Sequence, residues 1–76
     1  MKKYKIEIAH AENFTSVTEW FGLDDLPVVE AVNAREAASH LDLDGDTLIR
    51  VCELVENEFG VLETTGDYEF FECNDL

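Results

Sequence analysis

Basic residues are the scarcest chemistry in this chain: five Lys and Arg stand against 18 Asp and Glu in 76 residues. Lys2, Lys3 and Lys5 cluster at the start, and only Arg35 and Arg50 follow. No basic patch can be assembled from them, which excludes direct binding to DNA or RNA through phosphate contacts. Long apolar runs are missing too. None approaches the ~20 residues that a membrane-spanning helix needs. The opening MKKYKIEIAHAE alternates where a secretory leader would be continuously apolar, so it reads as a strand and the cytoplasm is the expected compartment.

Cysteine and histidine are equally sparse. Cys52 and Cys73 lie in separate apolar segments, and His10 and His40 are far apart, with no CxxC or HxxxH spacing. Zinc would need four converging ligands, and in a reducing compartment both thiols read as small buried hydrophobes, not a disulfide. A nucleophilic Cys52 would need an electropositive pocket and a nearby base, whereas the residues around it are acidic. With four Gly and one Pro there is no glycine-rich phosphate loop, and no Ser stands in a nucleophile elbow. Eighteen carboxylates always allow two to lie close, so such pairs carry no specificity, and so small a chain leaves little room for an enclosing pocket. No enzyme, cofactor or metal site is expected.

His40 to Asp46 (HLDLDGD) resembles a calcium loop at a glance. Anchoring an EF-hand on Gly45 puts His40 at the first ligand position and Val51 at the twelfth, where a bidentate Glu is required. Anchoring on Asp42 puts Thr47 where the glycine should be. The stretch reads as a polar helix-to-strand turn.

What remains is enough apolar mass to fold. Val, Ile, Leu and Phe supply 23 of the 76 residues, above the roughly 20% below which disorder becomes the expectation. The length allows one small domain, 1–76, with a limited core. Tyr4, Ile6 and Ile8 alternate with Lys3, Lys5 and Glu7, the period of a half-buried strand. From Asn13 to Phe21 helical spacing of Phe14, Val17 and Trp20, with Ser16 and Glu19 as a capping box, competes with strand-prone Thr and Val. A short helix is the reading adopted.

Gly22 to Pro27 is a loop, and VVEAV a short strand. Asn33 then caps a helix carrying Ala34, Ala37, Ala38 and Leu41 on one stripe, with Glu36 as the reciprocal partner, ending near Asp42. Thr47–Val55, Phe59–Thr65 and Tyr68–Cys73 read as strands joined by turns at Glu56-Asn57-Glu58 and Gly66-Asp67. The expected fold is α+β: a small antiparallel sheet of four to five strands, with one or two short helices packed on one face.

A net charge of −13 spread from Glu7 to Asp75 opposes compaction by self-repulsion. Duplex DNA carries one negative charge per ~1.7 Å of axis, so this charge matches that of roughly 22 Å of duplex. The expected diameter of the folded chain is only ~30 Å. The leading expectation is therefore a stoichiometric binder of a basic protein surface. Acidic turns would form the contact, with Asp42, Asp44, Asp46, Glu56, Glu58, Glu63, Asp67 and Glu69 as the partner-binding residues. No direct nucleic-acid or membrane partner is expected. A monomer is the expected state, although an exposed strand edge would open a route to dimerisation.

Shortness, acidity and α+β order are together similar to small inhibitors encoded by phages and mobile elements, among them anti-CRISPR proteins that act as DNA mimics. The run VVEAVNAREAASHL also looks like the strand–cap–helix unit common in small phage-type proteins. That resemblance covers about fourteen residues and carries no functional motif. What it implies is a mechanism: occupying the positively charged nucleic-acid channel of a CRISPR effector complex, in the host cytoplasm, and blocking target DNA. Two further readings share parts of the composition. One is an immunity or antitoxin-like protein that neutralises a basic toxin; the other is a structural domain from a salt-adapted organism.

Overall fold

The computed structural model describes residues 1–22, 28–41 and 45–76 of the chain. The alternating N-terminal segment forms strand β1, Lys2–His10, with Tyr4 and Ile6 buried and Lys5 exposed. Two short strands pair antiparallel with one edge of β1: β2, Phe21–Gly22, against Glu7 and Ile8, and β3, Val29–Ala31, against Lys2 to Tyr4. Helix α1, Ala34–Ser39, follows β3. Strand β4, Thr47–Glu56, then pairs with the other edge of β1 from Lys3 to His10, and β5, Leu62–Glu72, closes the order β2-β1-β4-β5.

β3 and β4 thus flank β1 on opposite sides, and α1 carries the chain across the sheet between them. The helix can do so because its buried side is all alanine. Ala34, Ala37 and Ala38 let its backbone approach Tyr4, Ile6, Ile49 and Val51 closely, and these residues form the core with Ala31. Side chains larger than a methyl group on that stripe would hold the helix away from the sheet. Asn33 caps the first turn, its Oδ1 accepting from the Glu36 N–H at 2.8 Å. Glu36 returns its carboxylate to the Val32 N–H at 3.3 Å, one residue before the cap itself.

The fold is an antiparallel sheet of five strands with one short helix, and it is richer in strand than the sequence reading supposed. The helix expected over 13–21 is a single 3₁₀ turn, Phe14–Ser16, capped by Asn13 in place of the Ser16–Glu19 box. Asn13 Oδ1 accepts from the Ser16 N–H and from both the Thr15 and Ser16 hydroxyls. That local satisfaction competes with helix propagation, and the chain leaves the turn extended through Val17 toward β2. The 3₁₀ turn also sits on the face opposite α1, where Phe14 meets Phe70 edge-on with centroids 5.5 Å apart.

The second expected turn is overturned as well. Gly66 and Asp67 do not reverse the chain but lie inside β5, which runs unbroken from Leu62 to Glu72. Cys52 pairs with Tyr68 and Leu54 with Thr64, so two additional residues of β5 are absorbed there as a bulge, with Gly66 at φ 86°. A positive φ at the bulge is what glycine permits without strain. The other reversal is expected at Glu56-Asn57-Glu58 with a strand from Phe59; it runs from Asn57 to Val61, and β5 begins only at Leu62. Asn57 Oδ1 accepts from the Phe59 and Val61 N–H groups at 2.8 and 3.1 Å, and Gly60 takes φ 77°.

β1 pairs with β4 no further than Leu54, so the β4–β5 hairpin projects past the body of the sheet. The molecule measures 40 × 23 × 21 Å as a result. No helix among the described residues is long and apolar enough to cross a membrane.

Candidate acidic interface

The hairpin is where the acids gather. Glu56 ends β4, Glu58 stands in the turn, and Glu63, Asp67, Glu69 and Glu72 follow along β5, all of them exposed. In an antiparallel ladder, paired residues share a face. The pairs Val55–Glu63 and Val51–Glu69 therefore put Glu63 and Glu69 on the side that carries α1, and alternation through Tyr68 adds Asp67. Residues two apart on a strand lie ~6.8 Å apart, close to two axial phosphate steps of a DNA strand at ~3.4 Å each. β5 alone spans 11 residues, about 37 Å at the same rise per residue.

These carboxylates have almost no internal partners. Among the described residues the ion pairs are Lys2–Glu53 at 3.3 Å, Arg50–Glu7 at 3.0 Å and a long His40–Glu36 approach at 3.9 Å. None involves Asp46, Glu56, Glu58, Glu63, Asp67 or Glu69. Glu63 accepts one neutral hydrogen bond from Asn57 Nδ2 at 3.0 Å.

A cleft of about 260 Å³ opens on the same side, where Glu53, Asp67 and Glu69 face Lys2, Tyr4 and Asn33. Tyr4 is 4% exposed. Burial is the main force that pushes its phenol above the ordinary value of 10.0; Lys2 pulls it back, and Glu53 and Glu69 push it further up.

The expected partner-binding set is only partly brought together. Glu56, Glu58 and Glu63 cluster at the hairpin end, and Asp67 and Glu69 continue along β5. Asp46 lies at the opposite end of β4, about 30 Å from Glu56 for a ten-residue strand. Asp46 and the hairpin acids therefore do not form one patch. Asp42 and Asp44 lie outside the described residues, as do Asp24 and Asp25. Glu53 shares this face, although it sits on β4 and is paired with Lys2, and the expected set passed over it. The signal that could have found Glu53 is the alternation of β4, which gives it the same face as Val51.

The opposite face carries a feature that sequence reasoning missed altogether. Glu7, Arg50 and Phe70 are neighbours across three strands. The Arg50 guanidinium lies between two rings, 4.9 Å from Trp20 and 4.7 Å from Tyr68. Trp20 in turn leans on Phe70 at 6.1 Å. Tyr68 and Phe70 nevertheless stay 38% and 51% exposed, so from Asp67 to Phe70 one side of β5 is aromatic and the other carboxylate, while Phe71 and Glu72 reverse that order. Among the described residues, no group of His, Cys, Asp and Glu has the arrangement to hold a metal ion.

No protein-family model, curated protein or solved structure matches this chain. The functional reading therefore rests on the geometry.

Proposed function

We propose that this chain is a non-enzymatic acidic binding protein that occupies the basic, nucleic-acid-binding surface of a partner protein or complex. The observation that carries this reading is the β4–β5 hairpin: a projecting, exposed line of carboxylates without cationic partners of its own. The Lys2 and Arg50 cations are engaged off this line, by Glu53 and Glu7. Left unpaired, the acids repel one another and offer their charge outward, where it speeds encounter with a positive surface. Arg and Lys that hold phosphates in the partner would hold Glu56, Glu58, Glu63, Asp67 and Glu69 instead. In its most concrete form the partner is a CRISPR effector complex and the outcome is loss of target-DNA binding.

The test is capture from host lysate on the immobilised protein at low salt, followed by a salt gradient and mass spectrometry. Recovery of one nucleic-acid-binding complex, displaced by its own DNA or RNA, is the expected result. Basic proteins leaving the column together at modest salt would show that the charge is a general surface property and overturn the reading. Charge reversal of Glu56, Glu58, Glu63, Asp67 and Glu69 together should abolish capture, while each single reversal should weaken it only slightly. A series in which one substitution alone mattered would instead indicate a specific pocket.

A further inference from the structure

β5 is the last strand of the sheet, and among the described residues its outer edge has no partner. Such an edge presents a row of free N–H and C=O groups that can template another strand. Its two faces are chemically different. Asp67 and Glu69 lie on the α1 side, beside the cleft that holds Glu53 and Tyr4. Tyr68 and Phe70 lie on the other side, partly exposed around Arg50.

We propose that the outer edge of β5 from Asp67 to Phe70 receives an extended segment of a partner protein in which basic and apolar residues alternate. The inference rests on the reading of the chain as a binder of basic proteins, and adds where and in what conformation such a partner docks. An incoming strand adds its own period of two. Its basic side chains then meet Asp67 and Glu69 across the new ladder, and its apolar side chains cover Tyr68 and Phe70. Main-chain hydrogen bonds supply the affinity, and alternation supplies the specificity.

A second copy of this chain is the wrong occupant. β5 contains no Lys or Arg, so a second β5 strand offers no cation to Asp67 and Glu69. The bulge at Gly66 interrupts the edge between the turn and Asp67, which confines the regular docking length to the segment after it.

The test uses the whole protein and two synthetic peptides of equal charge and composition, one alternating Lys and Val, the other with the same residues in two blocks. Titration at near-physiological salt should show the alternating peptide binding at least about tenfold more tightly, a difference of ~1.4 kcal/mol. Amide hydrogen exchange should slow at alternate positions from Asp67 to Phe70 when it is bound. Asp67→Lys with Glu69→Lys should abolish the preference, and both sites are exposed, so circular dichroism should confirm an unchanged fold. Glu56→Lys with Glu58→Lys, at the turn, should weaken both peptides alike and leave the ratio of their affinities in place.

Equal binding of the two peptides without protection of β5 would overturn the edge inference and leave the basic-partner reading standing. Failure of both peptides to bind, even at low salt, would overturn both.

Discussion

Arg50 brings both Nε and Nη2 to 3.0 Å from the same oxygen of Glu7, across the β1–β4 ladder. The pair is largely withdrawn from solvent, with side chains 25% and 13% exposed. Anchored by Glu7, the guanidinium lies over the rings of both Trp20 and Tyr68 and ties the segment before β2 to the last strand.

Arg50→Lys keeps the charge but loses the fork and the flat stack. It should cost about 1–2 kcal/mol. Arg50→Met should cost more, about 2–3 kcal/mol, because it leaves the Glu7 carboxylate half-buried without a partner. Adding Glu7→Gln to Arg50→Met should recover part of that loss. Urea unfolding followed by Trp20 fluorescence would check all three; equal stability of Arg50→Met and wild type would show that the pair contributes nothing.

Asn33 is the whole N-terminal cap of a helix only six residues long. Asn33→Ala should destabilise the protein by about 1 kcal/mol, and Asn33→Asp by much less, since a carboxylate accepts the same N–H. Thermal denaturation of the two variants side by side separates cap loss from a general effect of substitution.

Tyr4 makes stability depend on alkaline pH. Its folded phenol loses its proton later than the unfolded one, so the folded state binds more protons once the medium passes about pH 10. The stability contributed by the neutral buried phenol is fully present below that pH and is lost as pH rises through the folded value. Tyr4→Phe should therefore show a shallower loss of stability above about pH 10 than wild type. Urea midpoints measured across that range would decide it, and parallel curves for the two proteins would contradict the assignment.

Thr47 is 1% exposed, and its hydroxyl has no hydrogen-bond partner among the described residues. A buried hydroxyl left unpaired costs about 1–3 kcal/mol, and valine has the same branched shape without it. Thr47→Val should stabilise the protein by roughly 1 kcal/mol. A lower urea midpoint in the variant would mean that the hydroxyl is satisfied after all.

Local chemistry was legible where a few neighbouring residues decide the outcome. The alternation of Tyr4, Ile6 and Ile8 specified β1 and its buried face. Asn33 and the alanine stripe specified α1, and Asn57 marked the reversal, although Gly60 in it reads as strand. The charge specified that folding leaves many carboxylates without cations, because five basic residues cannot pair 18 acidic ones in any fold. The misreadings came where a local preference was ambiguous. Asn13 could cap a helix or close a single turn, and Gly66-Asp67 could reverse a chain or bulge a strand. In both places a strand partner decided: β1 receives β2 after the turn, and β4 continues to pair with β5 beyond the bulge.

The sequence by itself determined the amount of negative charge, the absence of a basic patch and the residues able to build a small core. Only the tertiary structure decided which carboxylates share a surface. Strand register assigns each side chain to one face or the other, and it depends on pairings between residues distant in sequence. Register is what sets Glu69 opposite Val51 on the helix side and Phe70 opposite Arg50 on the aromatic side. It also separates Asp46 from Glu56 by the length of β4. A shift of one residue would exchange the two faces of β5, and no local pattern in the exposed stretch from Glu63 to Phe70 forbids it. The buried pair Ile6–Val51, with Ile49 buried opposite half-buried Ile8, does forbid it in β1 and β4, and β5 takes its faces from them.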